Sequence, residues 1–282
     1  MNRRLFLASL GSGAIAQTSK PSSFRLGSVT YNVLKDHNLD DVIRILEATG
    51  FEGVELRTGH KHGVEPSLPA AERTRVRRQF EKSKVRLVAY GTTCEFHSAS
   101  AQERQKQVQI AKEFIDLAHD TGALGVKVRP NGLPAEVPKE TTIGNIGAAL
   151  RELGEYGSAK RVGVWLEVHG SQTSPPPIAA AIMKATAHDN AALCWNSNNV
   201  DMVNGSVEQS FNLLKRWIRH VHIHELVKDP YPYAELFALL KKAGYTGYTM
   251  AEIGGGAANA EEYLRTYRAR WLELGGPKSP GA

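Results

Sequence analysis

Cysteine, methionine and aromatic residues are scarce: the 282 residues include two Cys, four Met and only 7% Phe, Trp and Tyr. Two thiols cannot staple a chain of this length, so a disulfide-built scaffold is excluded and stability must come from an apolar core. Cys94 and Cys194 each lie in or just after a strand-like run, and one disulfide or two buried free thiols stand as alternatives. A large excess of one charge is also missing. The net charge is +6, two units of which belong to Arg3 and Arg4, and the remaining +4 is too weak to imply nucleic acid as a partner. No Gly-rich phosphate turn follows the first strand-like run, which disfavours a doubly wound dinucleotide fold. No long linker interrupts the alternation of runs, which favours a single domain.

The first residues, MNRRLFLASLGSGAIAQ, carry an Arg pair, a short apolar stretch from Leu5, and Ala14-Ile15-Ala16 as a small-x-small cleavage signal. They resemble a twin-arginine export signal, with Asn2 where Ser or Thr is commoner. The stretch is too short to span a bilayer, so residues 1–16 are expected to be a cleaved leader and not an anchor. Residues 17–282 are expected to form the mature domain, exported and periplasmic.

Eight apolar runs read as strands: 26–31, 53–56, 86–90, 125–128, 163–168, 191–195, 218–223 and 248–253. Between them apolar residues recur at helical spacing, as in Val42, Ile45 and Leu46, or Val108, Ala111, Phe114, Ile115 and Ala118. Gly50, Gly122 and Gly244 stand where helices end, and Ser206 stands where one begins. Eight such units match a single (β/α)8 TIM barrel. Strand parity agrees. Val221 and Ile223 oppose His220, His222 and His224, while Val164, Leu166 and Val168 oppose Trp165, Glu167 and His169. The apolar face is expected to meet the helices and the polar face to look into the barrel mouth.

Glu167, Asn196, His222 and Glu252 end successive late runs at intervals of about one strand plus one helix, which brings all four to the same rim. Two carboxylates, an imidazole and an amide converging there can hold a divalent metal, Mn, Mg, Co or Zn. A carboxylate ending an apolar strand is costly to bury without such a partner, which marks Glu167 and Glu252 as the catalytic pair. The upstream strands bring further polar residues to the same end. Among them Glu55, His62, His97 and Arg129, together with His169 and His224, are the expected substrate-binding groups. Lys127, close to Arg129, is a cation able to hold a hydroxyl, carboxylate or phosphate.

The pattern of Glu in LEVH, a polar residue in CWNSN, His in VHIHE and Glu in MAEIG, with GVEL after the first helix, resembles the sugar phosphate isomerase/epimerase family of xylose-isomerase-like barrels. The resemblance implies Glu, Asp, His and Glu ligands falling on Glu167, Asn196, His222 and Glu252, so that Asn196 replaces the acid. Asn199 stands where the family often has His, and His224 and Glu225 replace its Lys-Asp pair. It also implies proton abstraction beside a sugar carbonyl through an enediolate, giving epimerisation or isomerisation. A lyase acting on 3-keto-glycosides and an inactive carbohydrate-binding barrel are the alternatives. Export favours an unphosphorylated sugar as substrate, and a homo-oligomer is compatible with the sequence.

Overall fold

A parallel strand buried on both faces needs apolar residues outward against helices and small or paired residues inward, and this chain supplies that pattern eight times. The structure, a computed structural model, describes residues 23–226 and 230–278. The expected leader over residues 1–16 lies outside the described residues.

The strands are Arg25–Val29 (β1), Gly53–Arg57 (β2), Arg86–Glu95 (β3), Gly125–Arg129 (β4), Gly163–Glu167 (β5), Ala191–Asn196 (β6), Ile218–Ile223 (β7) and Tyr248–Ala251 (β8). Each pairs in parallel with the next, and β8 pairs with β1, which closes the barrel. Helices follow the strands in turn: Leu39–Thr49 (α1), Ala70–Glu81 (α2), Ala101–Thr121 (α3), Lys139–Lys160 (α4), Pro176–Thr186 (α5), Glu208–Leu214 (α6), Tyr233–Lys242 (α7) and Ala260–Glu273 (α8). The expected TIM barrel is therefore the fold. Gly50 and Gly122 end α1 and α3 in the left-handed conformation, at φ 73° and 80°. Val207, and not Ser206, occupies the cap position of α6, although the Ser206 hydroxyl accepts the Glu208 N–H at 3.2 Å.

Strand parity is realised as two cores. Val164, Leu166, Val168, Val221 and Ile223 pack outward in the large layer between strands and helices. Trp165, Val88, Ala192, Cys194, Tyr248 and Met250 fill the barrel interior. The Trp165 indole fits there because Gly125 leaves it room: a Cβ at residue 125 would lie 2.7 Å from the ring. His220 stacks on Trp165 with centroids 4.5 Å apart, so this inward histidine belongs to the plug and not the mouth.

Strand ends differ from the sequence reading in two places that matter. β3 runs on to Glu95, five residues beyond Tyr90, because a register shift lets Glu95 pair with Arg129 of β4. Glu252 stands one residue beyond β8, in the loop that carries Gly254–Gly256. Of the two alternatives for the cysteines, free thiols are the one found: Cys94 and Cys194 are both buried and unpaired. Among the described residues no helix is long and apolar enough to cross a membrane.

Candidate active site

At the C-terminal mouth of the barrel a cavity of about 590 Å³ opens between the strand ends, the place where barrels of this architecture carry their chemistry. β4 to β7 deliver Lys127, Glu167, Asn196 and His222, and the turn after β8 delivers Glu252. Asn196 and His222 are register partners across β6 and β7, which explains why residues 26 apart in sequence meet.

Glu167, His222 and Glu252 each present one donor atom, and the three lie within 4.8 Å of one another. His222 Nδ1 is 3.2 Å from Glu252 Oε2 and 3.6 Å from Glu167 Oε1. Its Nε2 lies 3.0 Å from Glu55 Oε2, which also meets His220 Nε2 at 2.7 Å. Since Glu55 can only accept, the Nε2 atoms donate and His222 Nδ1 is left facing two carboxylates. A positive charge must lie between them, carried by a proton or by a metal ion. A carboxylate that orients an imidazole whose other nitrogen faces two acidic donors is the arrangement metal-binding histidines use, so the donor set fits a divalent cation.

The electrostatics follow from burial and pairing. Burial alone would raise the Glu167 carboxyl, but the Lys127 ammonium 2.6 Å away and His222 together more than offset it and hold the group at about 2. Burial likewise opposes ionisation of Glu252, and His222 and His224 more than offset it, keeping this carboxyl well below its ordinary value. Burial disfavours a charged His222, whereas Cys194, Glu55 and Glu252 around it raise it well above the ordinary value. Glu55 is held low in the same way, against its burial, by His222 and His220. A site with three ionised carboxylates around one imidazole is strongly cation-attracting.

The remaining expected residues divide. Asn196 is in the site, donating to Glu167 Oε1 at 3.1 Å, with its Oδ1 taken by His224 Nε2 at 2.8 Å. His224, His169 and Arg129 line the cavity, His169 against Asn131 at 2.6 Å and Arg129 against Glu95 at 2.5 Å. Glu55, expected at the rim, is fully buried beneath His222 and does not line the cavity. His62 is also away from it: its Nε2 donates to the Arg57 carbonyl and its Nδ1 accepts the Val64 N–H, bracing the loop after β2. His97 lies outside the lining, 3.9 Å from Glu95. Phe96 and Trp195 are core residues, at 0% and 1% exposure.

Tyr31, Arg57, Thr92 and Asn198 line the cavity without having been singled out in the sequence. The signal for Arg57 was parity, since it lies two residues beyond Glu55 on the same strand face. Asn198 is fixed by donating to the Val168 and Asn196 carbonyls, at 2.7 and 2.6 Å. Gly254 and Gly255 form the rim opposite, where an added Cβ would meet nothing within 4 Å.

Fold and site together define a closed eight-stranded TIM barrel with two carboxylates and an imidazole gathered at its mouth. The chain belongs to the xylose isomerase-like TIM barrel family, whose model matches residues 43–273. A search of curated proteins gives no match. Among solved structures it is similar to D-psicose 3-epimerase determined in the presence of D-fructose (TM-score 0.77, 14% identity, covering 90% of this chain and 100% of that one). It is similar also to the 3-keto-D-glucoside 4-epimerase YcjR from E. coli (TM-score 0.75, 14% identity, 89% and 99%). A third is the IolI protein with a bound zinc atom (TM-score 0.73, 16% identity, 89% and 98%). At these identities the likeness is one of fold.

Proposed function

We propose that the protein is a divalent-metal-dependent epimerase or isomerase of an unphosphorylated keto sugar. The observation that carries this is the pair of carboxylates, Glu167 from the end of β5 and Glu252 from the turn after β8, brought together at one imidazole nitrogen in a sugar-sized polar cavity. Glu167, His222 and Glu252 would hold the metal, which when bound supplies Lewis-acid polarisation of the sugar carbonyl and its neighbouring hydroxyl. Asn196 bridges Glu167 and His224, fixing the first carboxylate and steering the imidazole toward the cavity.

The chemistry asked of the chain is the removal of a proton from the carbon beside the carbonyl and its return. A carboxylate within reach of that carbon takes the proton, and the electron pair moves through the new C=C bond onto the carbonyl oxygen as an enediolate. Return by the opposite carboxylate to the other face inverts the centre, and return to the neighbouring carbon interchanges ketose and aldose. His169, His224 and Arg129 line the walls and supply hydrogen bonds that orient hydroxyls. The likeness in fold to two sugar epimerases supports the reading. The leader expected over residues 1–16 supports an unphosphorylated substrate and a periplasmic enzyme.

One second reading has an observation of its own. A cavity of about 590 Å³ has the volume of pockets that bury drug-sized ligands, so a glycoside with its aglycone can be held. With a ketone two carbons from the glycosidic bond, the same carbanion expels the aglycone, and the enzyme acts as a lyase on 3-keto-glycosides.

The test is a screen of ketoses and 3-keto-glycosides in heavy water, with chelator-treated protein reconstituted with Mn, Mg, Co or Zn. Deuterium is expected in at least one substrate or its product, and Glu252→Gln is expected to abolish it with the fold intact. Absence of label with every metal and sugar defeats the proposal and leaves a carbohydrate-binding barrel.

A further inference from the structure

Among the described residues, Lys127 is the buried lysine at the site that the chemistry above leaves unused. It points inward from β4, its side chain is 6% exposed, and it lines the floor of the cavity. Its Nζ donates to Glu167 Oε2 at 2.6 Å, and among the described residues this is its only acceptor. An ammonium carries three N–H donors, and leaving buried donors of a charged group unfilled is costly. A lysine present only to neutralise Glu167 would be enclosed by further acceptors. Here the space before it is the cavity itself, with the Thr92 hydroxyl turned away onto the Lys127 carbonyl at 2.8 Å.

We propose that Lys127 is a catalytic residue whose free N–H groups bind the carbonyl oxygen of the keto sugar and stabilise the enediolate. The inference rests on the proposed function. When a carboxylate removes the adjacent proton, the C–H pair becomes the C=C bond and the carbonyl π pair moves onto oxygen. Lys127 meets that oxygen with fixed donors, remains protonated throughout, and releases it when the proton returns to carbon. Donors placed in advance where charge develops act more strongly in the transition state than in the ground state, and removing one typically costs about 10²- to 10³-fold in rate.

The experiment compares the metal-loaded wild type with Lys127→Gln and Lys127→Arg. Three quantities are read: solvent-deuterium exchange, metal content, and the inhibition constants of a hydroxamate mimic of the enediolate and of the matching sugar alcohol. For Lys127→Gln, exchange and hydroxamate affinity are expected to fall together by roughly 10²-fold or more, with sugar-alcohol affinity and metal content held within about threefold. Lys127→Arg retains the charge beside Glu167 but not the donor positions, and is expected to lose about tenfold or more in both exchange and hydroxamate affinity. This variant carries the test should Lys127→Gln fail to fold. Exchange within threefold of wild type overturns the inference, as does equal weakening of both inhibitors, the signature of a structural role. Silence of the wild type in exchange defeats the functional proposal itself, whereas a working wild type with indifferent variants defeats only the role of Lys127.

Discussion

Asp201 offers a measurement of the loop behind the cavity that needs no substrate. It sits in the 3₁₀ turn after β6, 1% exposed, with Oδ2 accepting the Asn198 N–H at 2.8 Å and the Tyr231 hydroxyl at 3.0 Å. Its Oδ1 is buried without a partner among the described residues. Burial pushes the carboxyl up from 3.8 to about 7, and the two hydrogen bonds only partly counter it. A folded-state value above the unfolded one means that the native state binds the extra proton. Stability from this group is therefore complete below about pH 4, is lost as pH rises to about 7, and stays lost above it. At 1.36 kcal/mol per unit the loss amounts to about 4 kcal/mol.

Asp201→Asn cannot titrate. The stability of this variant minus that of the wild type is expected to grow by about 4 kcal/mol between pH 4 and 8, whatever constant offset the amide introduces. Urea unfolding at pH 4, 6 and 8, followed by tryptophan fluorescence and circular dichroism, reads it directly. Other titrating groups cancel in the difference. Parallel curves for the two proteins would refute the assignment of a buried, proton-binding Asp201.

Two further outcomes test the interior. A Cβ at residue 91 would lie 2.4 Å from Glu55 Oε1, so Gly91→Ala is expected to displace Glu55 from His220 and His222 and to cost about 3 kcal/mol in urea unfolding; unchanged stability would show that Glu55 is not pinned there. Both thiols are buried, and burial pushes Cys194 up to about 11. A disulfide-exchange reagent is expected to find no reactive thiol in the native protein and two after unfolding without reductant, and a count of zero in the unfolded protein would reveal a disulfide.

Most of the architecture was legible because parallel strands impose a two-residue period and one strand plus one helix imposes a longer one. Those periods locate Glu167, Asn196 and His222 at strand ends, and they separate Val221 and Ile223 from the histidines between them. Depth within the barrel was not legible. Glu55 and Arg57 share a face, and which of them reaches the mouth depends on where β2 ends and how the strands are staggered. Reading the strand as ending at Leu56 moved Glu55 to the rim, whereas the pairing carries Arg57 there. The role of His62 depends on hydrogen bonds to the Arg57 carbonyl and the Val64 N–H that no pattern announces. The ion pair of Lys127 with Glu167 joins residues 40 apart on neighbouring strands and needed register, not spacing.

The turn carrying Gly254, Gly255 and Gly256 gives the mouth an unusual tolerance. None of the three has a left-handed backbone, and none has an atom within 4 Å of where a Cβ would go, although Gly254 and Gly255 border the cavity. Side chains can therefore be installed there without strain and without touching the interior plug. Directed evolution toward new substrates has its natural starting point at this edge, where variation alters what the mouth admits while the acid-imidazole tripod stays in place.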